Sequence, residues 1–434
     1  MGRRTQMRSK MDIMNLIDEE DVEFIRLQFT DILGNLKNIA ITPNQLERES
    51  GDMYPIKAGA LFGDDYNYPG VLYLHPDYET FEILPWRPQQ EKVAKLVCDV
   101  CGKNGENIEL SPRKILKNVL KEAENDGYSF LVNPECEFFL FHTDEDGLPT
   151  AKSHDRAGYM DVGPVDFGEN ARREIVLMLE KMDFNVLSSH HENAPAQHEV
   201  DFSEREALMA ADAIQTFRFA VRSVAKRFGL YATFMPKPKS GEAGSGMHTN
   251  FVLMKDGKNI FRAEDGHISQ IAYEFVAGVL NHAHAISAIS NPTVNSYKRL
   301  LGGFGAPTTV GWSLEDDRAM ISIDESFGDV KVKVRTPDGS SNPYLLIAGV
   351  IAAGLDGIRN HMDAGCDLQD SNNSNELLPE DLRQAIEAFS EDECMAQTYG
   401  QEFVDIYTDV KKQEWQEYVR AVSEWELDRY LERI

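Results

Sequence analysis

Two acidic stretches carry residue types suited to metal-assisted chemistry: Pro134-Glu135-Cys136-Glu137-Phe138, and Ser189-His190-His191-Glu192-Asn193-Ala194-Pro195-Ala196-Gln197-His198-Glu199-Val200-Asp201 further on. In an extended strand residues i and i+2 share a face, so Glu135 and Glu137 point together, as do Gln197, Glu199 and Asp201. Carboxylates converging from two strands repel one another unless a hard cation sits among them, and oxygen-rich sites of this kind suit Mg2+ or Mn2+. The solvated face of an antiparallel sheet shows the same alternation, and spacing alone leaves both readings open.

Two more stretches bear on chemistry. Met235-Pro236-Lys237-Pro238 leads into the glycine-rich Gly241-Glu242-Ala243-Gly244-Ser245-Gly246-Met247-His248, whose backbone can approach a small ligand and whose histidine opens a strand. A histidine so placed is equally a satisfied structural residue. Asn291-Pro292-Thr293-Val294-Asn295-Ser296-Tyr297-Lys298-Arg299 reads as a polar turn with two cations, suited to a carboxylate or phosphate, or simply solvated.

The elements that must position these residues follow from periodicity. Residues 22–41 read as a hairpin around Leu33-Gly34-Asn35, with further strands near 71–74, 80–84 and 92–98 and a short helix at 45–49. A sheet-rich N-terminal unit therefore ends near Lys103-Asn104-Gly105. Ser111-Pro112-Arg113 then opens a helix, with serine as its cap. Beyond it, helices are expected at 171–182, 206–228, 268–288, 344–364, 379–388 and 397–431, and strands at 185–189, 197–202, 231–234, 248–254 and 330–335. Strands joined irregularly by turns and long excursions point to an α+β fold with an antiparallel sheet. No internal repeat is visible, and 371–375 is a polar loop.

Composition narrows the class. The 434 residues hold 44 basic and 72 acidic side chains, a formal charge of −28 spread along the chain, which disfavours nucleic acid and anionic membranes as partners. No apolar run reaches membrane-spanning length, and the basic opening Met1-Gly2-Arg3-Arg4 leads into no apolar signal segment, so a cytoplasmic protein is expected. Five cysteines are too few and too irregular for a disulfide framework, and Cys98 and Cys101 form a lone CxxC that reads as a strand end.

Taken together, IRLQFTDILGNLKN, PECEFFLF, GYMDVGPVDFGEN, SSHHENAPAQHEVDF, ATFMPKPKSGEAGSGMH, NPTVNSYKRL and SEWELDRYL closely resemble glutamine synthetase of the bacterial and archaeal type. The resemblance implies a β-grasp-like N-terminal domain over 11–108 and a catalytic domain over 109–434 with a curved antiparallel sheet and flanking helices. It also implies a homo-oligomeric, dodecameric double ring. The implied chemistry is phosphorylation of the γ-carboxylate of glutamate by ATP, then displacement of phosphate by ammonia, with divalent metals neutralising the transferred group. Glu137, Glu192 and Glu199 match the ligands of the first metal, and Glu135 and His248 match two ligands of the second. Gly244 matches the glutamate-binding loop, and Arg299 and Arg335 match the substrate-binding arginines.

The sequence departs from the family pattern at several of its working positions. Lys333 stands where the second metal's third carboxylate belongs, and Gly305 replaces the flap glutamate that closes the site and deprotonates ammonium. Asp317 replaces an arginine that attends the phosphoryl group, with Arg318 the neighbour able to compensate. Ser322 replaces a second arginine, and Ala243 replaces an asparagine before Gly244. The loop that reaches the neighbouring subunit's ammonium pocket is replaced by Leu61-Phe62-Gly63-Asp64-Asp65-Tyr66. Two expectations follow. One is an ATP-dependent carboxylate–amine ligase using glutamate or a related acid with ammonia or, after substrate change, a larger amine. The other is a catalytically inactive homologue that keeps a structural or regulatory role in a ring assembly.

Overall fold

The computed structural model describes residues 8–49, 51–63, 69–301, 303–325, 329–370 and 376–434. The basic opening residues, Asp64, Asp65 and Tyr66, and the loop at 371–375 lie outside them.

A capping box at Ser9 starts α1 (Lys10–Glu19), which buries Ile13 and Ile17 against the first sheet. As expected, β1 (Val22–Thr30) and β2 (Leu36–Ile41) form an antiparallel hairpin. Asp31 fixes its turn, accepting the N–H groups of Leu33 and Asn35 at 3.0 and 2.8 Å. The short helix is α2 (Pro43–Arg48), followed by β3 (Tyr54–Lys57) and α3 (Gly59–Phe62). The pieces expected at 71–74 and 80–84 are one strand, β4 (Val71–Ile83), whose pairing with β5 (Lys92–Cys101) shifts register between Asp77 and Glu82. The sheet order is β2-β1-β5-β4-β3, with β1 and β5 parallel at its centre.

In α4 (Pro112–Asn125) Pro112 fills the first turn, but the Ser111 side chain makes no capping hydrogen bond. That end of the helix is held instead by Arg113, whose buried guanidinium meets Asp77 and Asp99 of the first sheet at 2.8 Å each and Asp212 of the larger unit at 2.9 Å. Asp212 also accepts the Tyr344 hydroxyl at 2.6 Å. Three carboxylates offset the desolvation of one arginine and tie the first sheet to a helix of the larger unit.

The second sheet is built on β6 (Ser129–Thr143), which is 15 residues long and flanked at one end by β7 (Pro149–Ser153). After α5 (Glu169–Glu180) come β8 (Val186–His191), β9 (Gln197–Phe202) and β10 (Arg205–Glu206). The buried helix α6 (Ala207–Arg227) leads to β11 (Leu230–Thr233), β12 (Met247–Lys255) and β13 (Lys258–Asn259). The expected helix at 268–288 is two, α7 (Gln270–Asn281) and α8 (Ala283–Ser290). The break falls at His282, whose ring is drawn to Asp392 at 2.7 Å and Asp356 at 3.1 Å.

Residues 291–299, expected as a polar turn, contain a helix, α9 (Val294–Leu300), because Thr293 and Ser296 form a capping box. The strands β14 (Thr309–Ser313) and β15 (Ala319–Asp324) went unread because their apolar runs are short and interrupted; β16 (Lys331–Val334) was expected. The path through the sheet is β14-β15-β16-β12-β6-β9-β8, antiparallel except for β14 with β15. The apolar α10 (Pro343–Arg359) lies at the heart of the helical layer, and α11 (Leu382–Glu391) packs against α8. The single helix expected at 397–431 is three: α12 (Glu393–Tyr399), α13 (Gln401–Arg420) and α14 (Glu424–Tyr430). Gly400, at φ +82°, makes the first break in a conformation that other residues rarely adopt. Among the described residues no helix is long and apolar enough to cross a membrane.

Candidate functional site

Antiparallel register brings the acidic residues together. Glu135 lies opposite Asp201, and Glu137 opposite Glu199, across β6 and β9; His248 of β12 lies opposite Glu135 on the other side. The turn from β8 to β9 adds Glu192, so carboxylates from three chain segments face one cavity of about 330 Å³. Arg299, at the end of α9, and Arg335, just beyond β16, face the same space with Gly244 and Ala243. A Cβ on Gly244 would lie 2.3 Å from the Pro236 carbonyl oxygen, so the loop passes there only as glycine.

On the acidic side of the cavity three carboxylates, Glu137, Glu192 and Glu199, crowd together with one imidazole, His190, beside two of them. Glu137 accepts Gln197 Nε2 at 2.8 Å and the Gly246 N–H at 2.9 Å, yet burial and the charge of Glu192 push its carboxyl up. Burial, with the charges of Glu137, Asp201 and Glu192, pushes Glu199 up to about 8. Glu192 is raised by burial, although Asn193 donates to it from both backbone and side chain at 2.9 and 3.0 Å. His190 lies 3.4 Å from both Glu199 and Glu192 and is itself raised to about 9, chiefly by its contact with Glu199. A divalent cation would relieve this repulsion, and oxygen donors with one imidazole suit Mg2+ or Mn2+, so the residues present fit such an ion.

Two residues away on β6 the situation reverses. Burial alone would raise Glu135, but His248, 3.4 Å away, and the Lys333 ammonium, 2.6 Å away, hold its carboxyl far below the usual carboxylate range. Asn250 adds a hydrogen bond to the same oxygen at 3.0 Å. Lys333 thus already supplies the charge that a second cation would bring, and this half of the site does not fit one. Lys333 and Ser322 face each other across β16 and β15, beside an adjoining cavity of about 510 Å³.

Arg299 is buried and donates to the carbonyls of Thr336 and Arg335 at 2.8 and 3.2 Å. Arg335 donates to the carbonyls of Asp317, Ala319 and Gly305. Gly305, at φ +74°, sits on the lip of the cavity beside Phe304, whose ring is covered by Lys237 at 4.7 Å. Arg318 and Asp317 stay outside the cavity: Arg318 is exposed and pairs with Asp316 at 2.5 Å. Arg318, the neighbour able to compensate for Asp317, thus lies outside the cavity lining. Asp201, grouped with Glu199 by alternation, is taken instead by the Ser188 hydroxyl at 2.5 Å.

Sequence reasoning passed over His190, Asn193 and Asn250 as site residues. The i, i+2 rule held a signal for two of them: His190 precedes Glu192 by two, and Asn250 follows His248 by two. Asn193 had no such signal, since it is the immediate chain neighbour of the Glu192 it bonds.

A sheet floor of carboxylates, closed on one side by two arginines and a glycine-rich loop, suits a divalent cation beside an anionic substrate. The comparisons agree. The family described as "Glutamine synthetase, catalytic domain" matches residues 109–430, and "Glutamine synthetase, beta-Grasp domain" matches residues 21–103. The glutamine synthetase of Clostridium saccharobutylicum is 43% identical, covering 98% of this chain and 99% of that protein. That of Halobacterium salinarum is 42% identical, covering 97% and 96%. Among solved structures, "GmaS/ADP complex-Conformation 1" superposes with a TM-score of 0.88 at 30% identity, covering 97% of this chain and 99% of that one. The chain belongs to the glutamine synthetase family. Its ligase fold follows, with a β-grasp domain preceding the catalytic domain.

Proposed function

We propose that this member is an ATP-dependent carboxylate–amine ligase that works with one bound Mg2+ or Mn2+ and prefers an amine larger than ammonia. The observation that carries this reading is the Lys333–Glu135 ion pair, at 2.6 Å, in the position of the family's second metal. Glu137, Glu192 and Glu199 hold the ion. When bound, it offsets the negative charge of a transferring phosphoryl group.

The chain's own residues supply the rest. Arg299 and Arg335 take the carboxylate of glutamate or a related acid and orient it towards the nucleotide. The main chain at Gly244 passes close enough to line that substrate. Lys333 presents a fixed ammonium beside Glu135 where charge builds up, with Asn250 and His248 keeping it in place. On the lip, Gly305 leaves space in place of a carboxylate, and Phe304 offers an aromatic face to a substituent on the amine. The GmaS–ADP likeness supports nucleotide use at this fold. We take 11–108 and 109–434 as the two domains, and a ring-forming dodecamer as the assembly, which sedimentation velocity would test.

The decisive experiment is ATP-dependent phosphate release with glutamate and Mg2+ or Mn2+, comparing ammonium with a panel of primary amines. Faster turnover with a substituted amine is the expected result, and preference for ammonium overturns it. A second reading, a non-catalytic ring subunit, is favoured by Asp317 and Ser322 standing in place of phosphoryl-binding arginines. Folded protein silent across the whole panel would establish that reading instead.

A further inference from the structure

Among the described residues four arginines are buried, and they divide by what meets their charge. Arg113 faces three carboxylates, and Arg172 pairs with Asp166 at 2.7 Å. Arg299 and Arg218 have no carboxylate within ion-pair distance among those residues; both donate to main-chain carbonyls, and both line a cavity. For Arg299 that cavity is the candidate site. For Arg218 it is another, of about 710 Å³, with no lining residue in common with the first.

The second cavity lies between the β1–β2 hairpin and α6. One end of the Arg218 guanidinium donates to the Ser341 carbonyl at 2.9 Å, and the other meets the Met247 thioether, a weak acceptor, at 3.5 Å. Burial pushes the guanidinium down to about 10, and the neighbouring charge of Arg222 acts in the same direction. Asp338 offsets only part of this, since it is itself taken by Asn291 Nδ2 at 3.1 Å and the Ser340 N–H at 2.9 Å.

Arg222, one turn further along α6, is an exposed part of the same lining, with its guanidinium over the Phe234 ring at 5.2 Å. It too has no carboxylate partner among the described residues. The third cation of the wall, Lys411, is paired with Glu414 at 2.9 Å, so the excess charge is that of the two arginines. The chain carries 72 acidic side chains to 44 basic ones, yet supplies neither arginine with one. Two adjacent guanidiniums left so, one of them buried, suit an added anion. Across the cavity stand the amides of Asn35 and Asn38, on a hairpin that Gln215 Nε2 already ties to α6 through the Thr30 hydroxyl and the Gly34 carbonyl, both at 3.0 Å. The volume is that of a metabolite site.

We propose that this cavity binds a small metabolite bearing a phosphate or carboxylate group, held by Arg218 and Arg222 against the β1–β2 hairpin. The planar fork of a guanidinium matches either oxyanion. Such a ligand bridges the first sheet and the larger unit, and the inference is independent of the ligase reading. Pro236 separates the two cavities: it lines this one, while its carbonyl accepts the Ser245 N–H of the glycine-rich loop at 2.9 Å.

The test titrates the full-length chain, free of nucleotide, glutamate and divalent metal, with orthophosphate and separately with succinate at constant ionic strength, read by calorimetry and thermal melting. Saturable binding of at least one probe, with a raised melting temperature, is expected. Tighter orthophosphate binding marks a phosphate-bearing ligand, and tighter succinate binding a carboxylate. Arg222→Gln should weaken that binding by about tenfold or more, as the loss of a charge-assisted contact does, and Arg218→Gln should abolish it. Arg335→Gln, which alters the other cavity, should leave it unchanged. Should Arg218→Gln fail to fold, the exposed Arg222 and Arg335 decide. Folded wild-type protein that binds neither probe overturns the proposal. Binding that survives Arg222→Gln in full, or that Arg335→Gln removes, overturns it as well, because the anion then sits elsewhere.

Discussion

Glu135 and Glu137 sit two residues apart on β6 and open onto one cavity, yet their charge environments are opposite. Around Glu137 burial and the charge of Glu192 outweigh His248 and Arg299, and Glu192 and Glu199 are raised by burial as well, so these carboxyls are pushed towards the protonated form. Around Glu135 burial acts in the same direction but is outweighed by His248 and Lys333, and the carboxylate stays charged. An excess of buried negative charge leaves a place for an added cation, whereas a carboxylate that already has its ammonium does not. One residue on a neighbouring strand, Lys333, separates the two halves.

That comparison is broken most severely by removing a carboxylate from the unpaired half. Glu199→Gln or Glu137→Gln is expected to abolish bound Mg2+ or Mn2+ and to lower turnover by about two to three orders of magnitude, the cost of about 2.7–4 kcal/mol typical of a lost transition-state contact. Metal titration by calorimetry and steady-state phosphate release check both effects. Unaltered metal binding would mean that these residues form only a solvated sheet face.

Lys333→Glu tests the paired half. A second bound metal should appear, and turnover should fall by about a hundredfold, because a fixed ammonium is exchanged for a hydrated ion in a site not shaped around it. A rise in turnover on gaining the second metal would show that Lys333 merely blocks a competent two-metal site.

His282 shows what a similar ion pair does far from the cavity. Burial lowers its ring's proton affinity, but Asp392, with Asp356 and Cys394, raises it to about 11. Since the unfolded value is about 6.5, the stabilisation is fully present below that pH and is lost as pH rises towards the folded value. His282→Gln should therefore flatten the decline of the urea midpoint between about pH 7 and 10 relative to wild type. At neutral pH it should destabilise the helical layer by about 3 kcal/mol, since a buried charge loses its partner.

The smallest effect is expected at Arg318. Exposed, paired with its near neighbour Asp316 and outside the cavity, its change to alanine should leave kcat and KM within a small factor of wild type. A large loss of kcat would mean that Arg318 swings into the site when substrate binds.

Much of this site was legible beforehand because strand alternation is local. Glu135 with Glu137, and Gln197 with Glu199, follow from a two-residue repeat, and the family motifs carried Glu192, His248, Arg299 and Arg335 to one place. Helix breaks were less legible: His282 and Gly400 interrupt runs whose apolar periodicity continues across them. The helix at Val294–Leu300 hid in a polar stretch because its start depends on the reciprocal bonds of Thr293 and Ser296.

By itself the sequence determined the two-sheet fold class, the acidic pairs and the identity of every departure, since each depends on short-range pattern or on motif position. What it did not determine was the consequence of those departures. That Lys333 meets Glu135 while Arg318 turns away is decided by register between β6, β12, β16 and β15, strands that lie far apart in the chain. Electrostatic energy depends on distance and burial, and both are set only when those strands are brought side by side.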